Sequence, residues 1–162
     1  CEVAISISTR IERIDNFFEK PSCGGYKSCS DVIGALLSMS YSAADLYEND
    51  PKARLCIAIA SDMLNNFPNM KKDSPLNSRR IAETSINADN AKDKGKLAAQ
   101  LTGISFPKKM KVRIFILGQG SGKNPLPLDK NALLSAYWNG FLEVAGITSS
   151  KTSPSLDQAC SK

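Results

Sequence analysis

The run RLCIAIASD, residues 54–62, constrains the fold more than any other part of the chain. It is short, continuously apolar from Leu55 to Ala60 and rich in isoleucine. A strand covered on both faces reads this way, because it has no solvent side on which polar residues can alternate. It is therefore placed at the centre of a parallel sheet, where it delivers Ser61 and Asp62 at its carboxyl end. A second run of this kind, residues 112–117, opens into the glycines of GQGSG. At the start of the chain, Val3, Ile5 and Ile7 alternate with Ala4, Ser6 and Ser8, the period of two of a strand with one well-buried face.

Helical patterns separate these runs. Ser30 and Asp31 offer an N-cap and a first-turn acid before apolar residues at helical spacing, which predicts a helix over 31–47. Residues 65–90 are polar, with Pro68 and Pro75, and read as a long excursion holding a short helix around 78–85. An excursion of that length in a compact domain is functional or mobile. A helix is predicted over 91–101, with Gly103 as its C-cap, and another over 132–145, capped by Asp129 or Asn131 and stopped at Gly146. Tyr137, Trp138, Phe141 and Leu142 recur at helical spacing, which reads as core against the sheet and not as an exposed patch. Right-handed crossovers turn this alternation into an α/β fold, a Rossmann-like open parallel sheet with helices on both faces in three layers, α/β/α. The chain's 162 residues suit one domain, read as residues 1–147, followed by a flexible tail over 148–162.

Composition excludes several chemistries. The chain has no histidine, which rules out histidine-dependent triads and removes the commonest zinc ligand. None of its five cysteines stands in a pair with the two-residue gap of a zinc ribbon or a thioredoxin-like site. Cys23 and Cys29 bracket a short glycine-containing loop. A disulfide between them would place the chain in an extracellular or periplasmic setting, and without it the expected setting is cytoplasmic. Cys56, inside the central run, reads as core. The formal charge is +5, but its clusters at Lys71 and Lys72, at Arg79 and Arg80, and over 108–111 are scattered, so nucleic acid is not the expected partner. No apolar run approaches the roughly 18–20 residues of a membrane span.

Ligands of doubly wound sheets sit beyond the carboxyl ends of the strands. That places the candidates at Ser61, Asp62, Gly118 and Gly120, together with the turn around Ser8 to Arg10. Asp62 can cap a turn, bind a cation or orient a ligand hydroxyl. The loop GQGSGKN does not have the Walker A register, since only three residues lie between Gly118 and Gly122 where four are required, and Lys123 is followed by Asn124 and Pro125. It does not fit a dinucleotide fingerprint either, because NPLPLD does not open a helix.

Beside these residues stands a family resemblance. SCSDVIGALLSM resembles the segment of von Willebrand factor A-type domains in which a Thr-Asp pair opens a helix. IAIASDM resembles the family's later strand, which ends in Thr-Asp-Gly or Ser-Asp-Gly. VRIFILGQGSG is similar to the next strand with its glycine-containing loop, and YWNGFLEVAGI to the terminal helix of bacterial members. The resemblance covers most of residues 1–147. It implies a metal-ion-dependent adhesion site holding Mg2+ or another divalent cation, with Ser30 at the family's threonine and Asp62 at its aspartate, both oxygen donors suited to a hard cation. The family's Asp-x-Ser-x-Ser element is absent, and Met63 stands where the family has glycine. EVAISIST resembles the family's second strand, so the first strand and helix are expected ahead of Cys1, since a sheet without its central strand would expose Ile57 and Ile59. The function implied is protein binding at the carboxyl edge of the sheet, bridged by a cation. Two alternatives remain: a small Rossmann-like nucleotide-binding or enzymatic domain, and a structural module with no ligand.

Overall fold

The computed structural model describes residues 2–5, 30–66, 70–71, 73–121, 125–147 and 150–152. Along the chain these form β1 (Glu2–Ile5), α1 (Val32–Asn49), β2 (Arg54–Ala60), α2 (Ser78–Glu83), α3 (Ala88–Thr102), β3 (Lys111–Leu117), α4 (Leu128–Val144) and β4 (Ser150–Thr152). The four strands make one parallel sheet in the order β1-β2-β3-β4. Strand β4 lies within the stretch read as a tail: its three residues pair with Ile114, Phe115 and Ile116. The turn around Ser8 to Arg10 and the Cys23–Cys29 loop lie outside the described residues.

Register decides what each face carries. Leu55, Ile57 and Ile59 lie opposite Val112, Ile114 and Ile116. Successive side chains of a strand point to opposite faces, so these six share one face. They belong to a single buried cluster with apolar residues of all four described helices. The opposite face brings Cys56 and Ala58 beside Arg113 and Phe115, and Cys56 and Phe115 form a separate small buried cluster. The sequence reading puts helices on both faces, whereas the four described helices share one core with one face. A strand order that follows the chain explains this, because consecutive right-handed crossovers stepping the same way set their helices on the same side.

Ile57 and Ile59 are only 0% and 4% exposed, and β1 runs beside β2. Cys56 is buried as expected, but it is also disulfide-bonded, so it is more than a small apolar filler.

Helix α1 begins where a side chain and a distant loop both supply acceptors. Asp31, and not Ser30, is its N-cap, and its carboxylate accepts the Gly34 amide at 2.8 Å. The Ile33 amide donates to Asn65 Oδ1 at 3.1 Å. Two of the amides that a helix start leaves without intrahelical partners are thus satisfied. Helix α3 ends as read, with Gly103 at φ +65. Helix α4 starts earlier than expected, with Pro127 at the cap position and no side-chain cap bond. Asn131, read as a possible cap, instead sits inside the helix and bonds to the β3 loop.

Helices α3 and α4 meet with their backbones almost touching. A Cβ on Gly95 would lie 1.9 Å from the Tyr137 carbonyl oxygen, and one on Gly140 would lie 2.1 Å from that of Lys92. No heavier residue fits at either position without moving a helix. This close approach brings Tyr137, Trp138 and Phe141 under the sheet as a fully buried group, with Trp138 edge-on to Tyr137 at 5.2 Å between ring centroids.

Candidate recognition edge

At the carboxyl ends of β2 and β3 the chain ties the two following loops together. The Ser61 amide donates to Leu117 O at 3.0 Å, extending the ladder one residue beyond β2. The Gly120 amide then donates to Asp62 O, also at 3.0 Å. Gly118 sits against this junction: a Cβ there would meet Ser121 Oγ at 2.9 Å and Ser61 O at 3.7 Å. Ser61, Asp62, Gly118 and Gly120 are therefore brought into one place.

Ser30 reaches the same neighbourhood by a different route. Its backbone forms a two-bond antiparallel bridge with Asn66, each bond 2.8 Å long, which fixes the entry to α1 against the chain four residues after Asp62.

The turn after β2 is where the backbone is most constrained. Ser61 Oγ accepts the Met63 amide and Asp62 Oδ1 accepts the Leu64 amide, both at 3.0 Å. These side-chain-to-backbone bonds two residues ahead are the local turns that Ser and Asp favour. They hold Met63 at φ +63, the one positive-φ non-glycine residue among those described. An L-residue there costs roughly 1–2 kcal/mol relative to glycine. The surroundings offset that cost. The Met63 side chain is fully buried. Its carbonyl oxygen accepts two hydrogen bonds, from Ser78 Oγ at 2.8 Å and from Trp138 Nε1 at 2.9 Å.

Around this carbonyl stands a buried polar group that the sequence reading treated as an open polar excursion. Asn65 donates its amide to Ser78 Oγ at 2.7 Å and its Nδ2 to Leu76 O at 2.8 Å. Asn65, Asn66, Asn77 and Ser78 are all buried. Tyr137 adds a bond from its hydroxyl to Pro75 O at 2.8 Å, and burial pushes the phenol's pKa up, so it stays a donor. The sequence signal for this group was the density of Asn and Ser in 65–90. Those residue types bind backbone locally when buried as readily as they solvate a loop, and composition does not distinguish the two uses.

The β3 loop uses its own amides internally. Besides the Gly120 bond to Asp62, the Ser121 amide donates to Gly118 O at 2.9 Å, and Gly118 and Gly120 have φ of +84 and +66. Gln119 Nε2 donates to Asn131 Oδ1 at 2.8 Å and to Ser135 Oγ at 2.6 Å, fastening the loop to α4. The Gly120 and Ser121 amides are thus not turned outward as a phosphate cradle would require.

Among the described residues, no group of three His, Cys, Asp or Glu side chains stands close enough to hold a metal ion. Asp62 is half-buried at the edge, and its Oδ1 is engaged by Leu64. The oxygen donors at the end of β2 are the Asp62 carboxylate and the Ser61 hydroxyl, and Ser30 is tied to the chain beyond them by its backbone bridge to Asn66.

The chain matches no protein-family model, no curated protein and no solved structure.

Proposed function

We propose that this chain is a protein-recognition module of von Willebrand factor A-like type, which presents Asp62 to a partner from the carboxyl edge of its sheet. The observation that carries the reading is Met63 at φ +63 immediately after Ser61 and Asp62. The resemblance puts glycine there, and the backbone has the conformation that glycine would serve. A rigid carboxylate on a preorganised turn favours binding, because little freedom is lost when a partner docks. The buried Cys56, Ala58 and Phe115 on the face away from the described helices support the three-layer form of the proposal, since something must cover that face.

A divalent cation suits this proposal when it is one that tolerates few protein ligands. One carboxylate with serine hydroxyls matches magnesium, which keeps several of its waters, better than calcium or zinc. Asp62 and Ser30 would hold it, and it would supply a positive charge to a partner's carboxylate.

Peptides selected from a random display library on the wild-type chain test the reading. Binding that weakens about tenfold or more in Asp62→Ala, a loss of about 1.4 kcal/mol, supports it. Equal affinity for both chains overturns it. Titration calorimetry with magnesium chloride, manganese chloride and ATP separates the alternatives. Heat from ATP without metal favours a nucleotide-binding domain, and metal heat lost in Asp62→Ala places the cation at this edge.

A further inference from the structure

The opposite, amino-terminal edge of the sheet gathers exposed positive charge. Arg54 and Lys111 open β2 and β3 and lie directly opposite each other in register. Arg113, two residues on, shares their face, since Val112 between them points into the core. Lys52 leads into β2, and Lys108 and Lys109 lead into β3 from the turn closed by the Met110 amide on Pro107 O. Lys52, Arg54, Lys108, Lys109, Lys111 and Arg113 are each exposed.

Among the described residues, none of these six side chains makes an ion pair or a side-chain hydrogen bond. Five other described cations are engaged: Arg79 and Arg80 with Glu83, Lys92 and Lys96 with Glu143, and Lys130 with the Thr84 carbonyl. The nearest carboxylate in sequence, Asp50, accepts the Lys52 backbone amide and, among the described residues, pairs with no cation. Like charges directly opposite on neighbouring strands destabilise a sheet. The chain's formal excess is +5, so these six charges account for it and the remainder is close to neutral.

We propose that this edge is a docking surface for an acidic polypeptide segment, gripped by Arg54, Lys111 and Arg113. Charge complementarity identifies the partner's sign, and what the edge lacks identifies its class. Among the described residues, the large apolar side chains that are exposed, Tyr41, Leu97, Leu101, Leu128 and Val144, all belong to helices. Among the described residues the edge therefore offers no aromatic platform for stacking bases and no apolar wedge for entering a bilayer. Carboxylates on alternate residues of an extended segment repeat at about the spacing of Lys111 and Arg113, roughly 6.6 Å for two residues of strand.

The test is fluorescence anisotropy with labelled decaglutamate, at low ionic strength and at roughly 0.3 M salt, where screening is strong. Wild type is expected to bind at low salt and to lose most of that binding at high salt. The double variant K111Q/R113Q should bind about tenfold more weakly, as expected for two exposed charges. D62A should bind like wild type, which keeps this surface distinct from the recognition edge. Absence of decaglutamate binding, or K111Q/R113Q binding as well as wild type, overturns the proposal. So does tighter binding of oligothymidylate or of phosphatidylglycerol vesicles than of decaglutamate. Thermal unfolding of K111Q/R113Q provides a second readout: an unchanged or higher midpoint agrees with unpaired repelling charges, and a clear fall would show that they hold the fold together.

Discussion

The seam between α3 and α4 and the turn after β2 both force the backbone into a position that suits glycine, and they meet the demand in opposite ways. At the seam, Gly95 and Gly140 allow two helix backbones to approach so closely that a Cβ would collide with a carbonyl. At the turn, Met63 takes a left-handed conformation despite its side chain, held by two hydrogen bonds to its carbonyl and by complete burial. The difference lies in what glycine would relieve. A steric overlap with backbone leaves no rotamer to escape into, whereas a φ penalty of roughly 1–2 kcal/mol is within reach of one buried side chain and a doubly accepted carbonyl.

Gly95→Ala should produce the largest effect. In an exposed helix this change stabilises by roughly 1 kcal/mol, but here the clash should reverse the sign and destabilise by about 3 kcal/mol or more. Denaturant unfolding measures it, and a stabilised variant would mean that the helices separate freely. Ser78→Ala should cost about 1–3 kcal/mol, because it removes one donor to Met63 O and strands the buried Asn65 amide. Met63→Gly sharpens the comparison most directly. Relief of the left-handed strain competes with loss of a buried side chain worth roughly 2–5 kcal/mol, so a net loss of about 1–3 kcal/mol is expected. A stabilised Met63→Gly would show that the turn is strained beyond what its contacts offset.

Asp31→Ala, outside both places, should cost about 1 kcal/mol through its lost cap bond to Gly34. The smallest effect belongs to Glu143, on the solvent side of the seam. The Lys92 ammonium holds its carboxyl below the usual range, by hydrogen bond first and by charge second. A depressed folded-state pKa contributes stability that is present above the unfolded carboxylate value and lost as pH falls through the folded one. Wild type and Glu143→Gln should therefore differ slightly in unfolding midpoint near neutral pH and converge in acid, and a difference that persists in acid would exclude this ion pair as its source.

Much of the fold is legible from local pattern. The two dry runs become the paired strands β2 and β3, and helices appear close to each predicted span. The candidates Ser61, Asp62, Gly118 and Gly120 do converge, since strand ends of a parallel sheet share an edge whatever the loops do. The buttress behind them was not legible. Asn65 bonds to Ile33 and Leu76, and Ser78 and Trp138 meet at one carbonyl, 15 and 75 residues from Met63 in sequence. Such pairings leave no periodicity to read. The cations at the amino edge look scattered along the chain for the same reason, because only strand register sets Arg54 opposite Lys111.

The sequence by itself therefore determined the two central strands and the helices, and which residues stand at the strand ends, because burial and capping act within a few residues of one another, whereas β4 was set only by its pairing with β3. Tertiary structure alone decided that the described helices share one face, that Met63 is held left-handed by distant donors, and that Gly95 and Gly140 are needed. Each of these depends on a contact between segments far apart in the chain, whose free energy exists only once both are in place.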